Sequence, residues 1–145
     1  MAKSKRKRSG GIESPTSDCV LLCDDVLVSQ GKHKHTLAGL IGTILVPAFP
    51  AIIGGYVAYV RLSNVYSGGQ KVTLRLSLAS TDDTIMETVS VLPKESDPLG
   101  VYTLIAPIPA FVVHEPGRYL FGAYHNGVVP IATSPILLQG PTEEK

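Results

Sequence analysis

The chain has 145 residues, 44% hydrophobic and 17% charged, which is enough apolar material for one core and too much for a disordered polymer. Fourteen glycines and eleven prolines interrupt helix interiors throughout and favour an all-β fold. The formal charge of +1 balances unlike parts: Lys3, Lys5, Arg6, Lys7 and Arg8 supply five of the thirteen cations, leaving eight against twelve acids in the rest.

Residues 1–17 read as a flexible basic arm, because glycine, serine and lysine there offer nothing to bury against the entropy of ordering. Lys3, Lys5, Arg6, Lys7 and Arg8 are candidate contacts to nucleic acid or another anionic surface; a solubilising tail is the alternative. No apolar run follows them, so the segment does not read as a secretory signal and a cytoplasmic location is expected. A single β-sandwich domain is expected over residues 18–139, followed by a frayed tail at 140–145.

The first strand is expected over 18–28. It carries Cys19 and Cys23, about 13 Å apart if extended and so beyond disulfide reach. A turn at 29–32 leads to a second strand over 33–46, with residue 28 opposite 33, Cys23 opposite Ala38 and His35 opposite Val26. That register puts His35 and the thiols on opposite faces, so no metal site is expected. Asp24 and Asp25 point to opposite faces, which sends one carboxylate inward as a structural acceptor or a ligand.

Between Lys34 and Arg61 there is no charged residue, a length able to cross a bilayer. Pro47, Pro50 and Gly54-Gly55 break it, and the flanking pieces are rich in β-branched residues. Two covered core strands joined by the loop 47–51 are expected instead. Val72, Leu74, Leu76 and Leu78 then alternate with Thr73, Arg75, Ser77 and Ala79, the pattern of a half-buried strand. Further strands are expected over 56–65, 85–92 and 100–106.

Two strands close the chain. Asn126-Gly127 joins 118–125 to 128–139 as a hairpin, since both residues tolerate positive φ. Pro130 and Pro135 cannot donate to a sheet, so the last strand must lie at an edge or contain a break.

No pattern specifies catalysis. The glycine pairs lack the Lys-Ser/Thr of a phosphate loop, Asp82-Asp83 is too small a set for calcium, and His114 and His125 sit beside turns in a sequence that fixes no residue as nucleophile. No cofactor and no small-molecule substrate is indicated. Six tyrosines could line a binding surface, although at strand positions half-buried cross-strand packing is the commoner use of the residue.

Four segments add a resemblance: Cys23-Asp24-Asp25-Val26; Gly31-Lys32 before Thr36-Leu37-Ala38-Gly39-Leu40; Val46-Pro47-Ala48-Phe49-Pro50-Ala51; and Tyr59-Val60-Arg61-Leu62. Together they resemble the opening half of a family of small uncharacterised bacterial proteins. The resemblance implies a β-sandwich of Ig-like or related type and a cytoplasmic bacterial origin, and it assigns no activity; with the strand pattern above, an antiparallel sandwich of seven to nine strands is expected.

The expected function is therefore a non-catalytic interaction or assembly module that binds a protein partner or itself. Its candidate partner-binding residues are Pro130 and Pro135 on the terminal edge and Pro47, Phe49 and Pro50 on the loop, with Phe49 as apolar anchor. One alternative is a nucleic-acid-associated or capsid-like scaffold that uses the basic arm; another is a metal-binding protein or enzyme built on Cys19, Cys23, Asp24 and a histidine.

Overall fold

A computed structural model describes residues 15–29, 34–63, 65, 70–93 and 101–141. Among the described residues there are eleven strands: β1 (Thr16–Val28), β2 (His35–Leu40), β3 (Thr43–Leu45), β4 (Ala51–Ile53), β5 (Val57–Ser63), β6 (Lys71–Leu78), β7 (Thr84–Val91), β8 (Tyr102–Pro107), β9 (Phe111–Val113), β10 (Gly117–His125) and β11 (Val129–Gln139). A four-stranded sheet runs β2-β1-β5-β8, a five-stranded sheet runs β3-β11-β10-β6-β7, and β4 and β9 form a separate ribbon. The all-β sandwich is as expected. The count exceeds seven to nine because β3, β4 and β9, of three residues each, are too short to leave an alternation pattern.

The core follows from alternation in both sheets. Val20 and Leu22 of β1, Ala58, Val60 and Leu62 of β5, and Leu104 and Ala106 of β8 face Val72, Leu74, Leu76 and Leu78 of β6 and Tyr119, Phe121 and Ala123 of β10. Ile136 and Leu138 of β11 complete it. Successive side chains in a strand point oppositely, so these even and odd sets turn inward together.

The region expected to be one long second strand is two. β2 ends at Leu40, the chain turns at Ile41-Gly42, and β3 joins the other sheet. At this corner the Ile41 N–H donates to the Leu22 carbonyl (2.8 Å) and the Leu137 N–H donates to the Gly42 carbonyl (2.9 Å), one bond in each sheet. Because β3 continues β2 across the corner and does not return through a hairpin, it lies parallel to β11, the one exception to antiparallel pairing among the described strands. Beside the corner, Ser134 of β11 donates its hydroxyl to the Val20 carbonyl of β1 (2.9 Å), stitching the two sheets at a seam.

The expected register between the first two strands is displaced by two residues: Val28 faces His35, and Cys23 faces Leu40. The connection is longer than a four-residue turn, since the Ser29 N–H bonds to the Lys34 carbonyl. Face parity is unchanged by a two-residue shift. The expectation that this stretch is covered fails for β2, most of which is exposed, because β1 pairs with β5 only up to Cys23. Beyond that point β1 and β2 form a two-stranded extension bearing Leu27 and Leu40, both more than half exposed. The same geometry corrects the inward carboxylate: Asp24 and Asp25 are both exposed. Asp24 lies over Gly39, whose φ of +68° and lack of Cβ admit it.

The terminal hairpin forms as expected. Asn126 and Gly127 take φ of 54° and 77°, and the Val128 N–H returns to the His125 carbonyl (3.1 Å), a type I′ turn. Ala123 faces Ala132 while Tyr124 faces Pro130, so Ile131 is the extra residue of a bulge beside the proline.

Candidate functional site

The outer face of the five-stranded sheet is organised in rows that follow directly from the pairing. Glu87, Arg75, Gly122 and Thr133 form one row across β7, β6, β10 and β11; Val89, Thr73, Tyr124 and Pro130 form the next. In the first row Arg75 Nε donates to Glu87 Oε2 (2.6 Å) and Nη2 to the Gly127 carbonyl (2.9 Å). The guanidinium carbon lies 4.5 Å from the centroid of the Tyr124 ring. A Cβ on Gly122 would come within 2.9 Å of Tyr124 Cε1 and 3.1 Å of its hydroxyl, so the tyrosine rests on the bare glycine backbone. Glycine, cation and hydrogen bonds together hold Tyr124 in one place.

Over Thr88–Val91 the polarity of β7 runs opposite to what a solvated outer face needs, whereas Met86 and Glu87 before it keep the ordinary apolar-in, charged-out order. Its inward residues opposite Leu74 and Val72 are Thr88 and Ser90, and its outward ones are Val89 (53% exposed) and Val91 (61% exposed). Val128, at the tip of the adjoining hairpin, is 77% exposed. These valines, Tyr124 and Pro130 make an apolar surface at one end of the sheet, bordered by the edge of β7 and by the first part of β11, neither of which pairs further with a described strand.

Of the residues predicted as partner contacts, Pro130 belongs to this surface. Pro135 is exposed opposite Leu120, but the edge of β11 beyond it is occupied by β3 over Leu137–Gln139, and Ser134 is tied to β1. The open part of that edge is therefore shorter than the sequence suggested. Pro47 and Pro50 are exposed; Phe49 is half-buried, packed on the core and against Gly140, and does not project as an anchor. The exposed apolar pair beside the loop is Ile52, 79% exposed, and its partner Val112. Lys3, Lys5, Arg6, Lys7 and Arg8 lie outside the described residues, as does His33.

Cys19 is half-buried, Cys23 is buried, and neither is in a disulfide. Burial pushes the Cys23 thiol up, the charges of Asp24 and Asp25 add to this, and the backbone N–H of Asp25 opposes it. The thiol donates to the Val57 carbonyl (3.5 Å). Native protein treated with a thiol reagent at pH 8 should therefore react at Cys19 first and at Cys23 only on unfolding. Equal rates at both positions, read by mass spectrometry, would refute this placement. His35 Nδ1 lies 2.9 Å from the Tyr59 hydroxyl with the rings edge to face, so this histidine is used in packing. Among the described residues no three His, Cys, Asp or Glu side chains lie close enough to hold a metal, and no helix is long and apolar enough to cross a membrane.

One residue that mattered was passed over. Tyr119 is buried and donates its hydroxyl to the Glu115 carbonyl (2.7 Å), pinning the corner between β9 and β10. The bond, from a strand-start tyrosine back to a carbonyl four residues upstream, resembles the tyrosine corner known from other β-sandwiches. Its signal was present in Glu115-Pro116-Gly117-Arg118-Tyr119, a tyrosine just after a Pro-Gly turn. Burial first, then the Glu115 charge, raises its pKa. Tyr56 is raised in the same way, by burial and then by Asp24.

No curated protein matches the chain. The model of one family, described as a family of unknown function and designated DUF6941, matches residues 18–136, which is the sandwich from β1 into β11 and extends well past the segments that first carried the resemblance. The chain belongs to the DUF6941 family of unknown function.

Proposed function

We propose that this protein is a non-catalytic interaction module that associates, with another copy or with a protein partner, through the outer face of the five-stranded sheet. The observation that carries the reading is the inverted polarity of β7, with Val89 and Val91 facing out and Thr88 and Ser90 facing in. Apolar side chains aligned outward on an edge strand are an aggregation hazard unless a partner covers them. Tyr124, held by Arg75 over Gly122, adds a rigid aromatic centre, and such groups lose little entropy on binding.

The test is sedimentation velocity and pull-down on the full chain and on Val89→Lys/Val91→Lys. Lysine is tolerated on exposed edges, so the fold should survive while association falls by about thirtyfold or more, the cost of desolvating two ammonium groups at a contact. Wild-type protein that sediments as a strict monomer and captures nothing would overturn the proposal. So would a variant that associates as well as the wild type.

A further inference from the structure

A second site lies on the other sheet, where the chain enters the fold. Thr16 pairs with Ser63 and Cys19 pairs with Arg61, so Ser17 and Asp18 of β1 stand against Leu62 alone. This bulge spreads the two strands at their ends. In the space opened lies a cavity of about 290 Å³ lined by Thr16, Ser17, Arg61, Ser63 and Val101.

Among the described residues its lining has one guanidinium, three hydroxyls and an apolar wall. Ser17 is committed, its hydroxyl donating to the Cys19 carbonyl (2.8 Å) and accepting from the Cys19 N–H (3.0 Å). That local bonding fixes the bulge and leaves Thr16 and Ser63 as the hydroxyls that can turn inward. Arg61 lies on the same outward parity of β5 as Ser63, while Val60 and Leu62 face the core. Arginine presents several donors in a rigid fork suited to oxyanions and stays charged at any physiological pH.

We infer that this cavity is a binding site for a phosphoryl oxyanion, with Arg61 as the charged donor and Thr16 and Ser63 as hydroxyl donors. The three terminal oxygens of a phosphoryl group can meet the fork and both flanking hydroxyls from different directions, whereas a carboxylate held in the fork offers only two oxygens, both in the plane of the fork.

The probe is inorganic phosphate titrated into ¹⁵N-labelled full-length protein at constant ionic strength. Saturable amide shifts are expected at Thr16, Ser17, Ser63 and Val101, and Arg61→Gln should abolish them without altering the remaining spectrum. Thr16→Val/Ser63→Ala should weaken binding severalfold while leaving Arg61 in place. Three outcomes would overturn the assignment: shifts that do not saturate, shifts that persist in Arg61→Gln, and equal shifts with chloride. Equally tight binding of acetate would overturn the choice of phosphoryl over carboxylate.

Discussion

Replacing Tyr119 by Ala should cost about 3–5 kcal/mol, because it empties the volume of one of the largest fully buried side chains and releases the corner at Glu115. Against a total stability of about 5–15 kcal/mol for a domain, the variant should be partly unfolded near body temperature. Tyr119→Phe isolates the hydroxyl: the ring stays, the Glu115 carbonyl loses its donor, and the expected cost is about 1–2 kcal/mol. Urea denaturation followed by circular dichroism measures both. Equal costs would mean that the corner bond carries the whole effect, and no cost for Phe would mean that it carries none.

The same residue gives the stability a pH dependence. The folded pKa of Tyr119 lies above its unfolded value of about 10, so the native state holds the proton after the unfolded state has released it. The stabilisation is complete below pH about 10 and disappears as pH rises through the folded pKa. Tyr119→Phe should therefore show a shallower alkaline decline than wild type. Some decline should remain, since Tyr56 is shifted in the same direction.

Gly122→Ala should cost about 1–3 kcal/mol, although alanine is ordinarily the better residue inside a strand. The added Cβ would lie 2.9 Å from both Thr133 Cγ2 and Tyr124 Cε1. Both are side-chain atoms, so the strain is relieved by moving Tyr124 away from Arg75, and the stack at 4.5 Å is lost. Combining Gly122→Ala with Tyr124→Ser should return part of the loss, a coupling of about 0.5–2 kcal/mol in thermal or urea unfolding. Strict additivity of the two substitutions would show that Tyr124 does not rest on the glycine. Association is expected to weaken in Gly122→Ala as well, because the surface proposed to bind loses its fixed aromatic.

How much of this was legible varied with the type of signal. The inward set of β6, Val72 to Leu78, and the Asn126-Gly127 turn were readable because both are local: a period of two and a positive-φ pair. The prolines of β11 correctly implied an irregular edge strand. The corner at Ile41-Gly42 was not readable, since an apolar run looks the same whether it stays in one sheet or passes between two. Asp24 and Asp25 were misjudged for a related reason: alternation gives opposite faces, but only the tertiary fold says that the strand has left the body by that point. Phe49 shows the converse, a loop aromatic turned back onto the core. The outward valines of β7 escaped notice because their polarity becomes visible only when the register with Leu74 and Val72 is known.

The seam between Val20 and Ser134 joins residues 114 positions apart in the chain. That bond cannot exist until residue 134 has been made, although all four strands of the β2-β1-β5-β8 sheet exist once β8 ends at Pro107, so this sheet waits for β10 and β11 to cover it. Domains governed by such distant pairings refold over milliseconds to seconds. During that interval the unshielded strands depend on speed of completion, or on a chaperone, to avoid pairing with a neighbour.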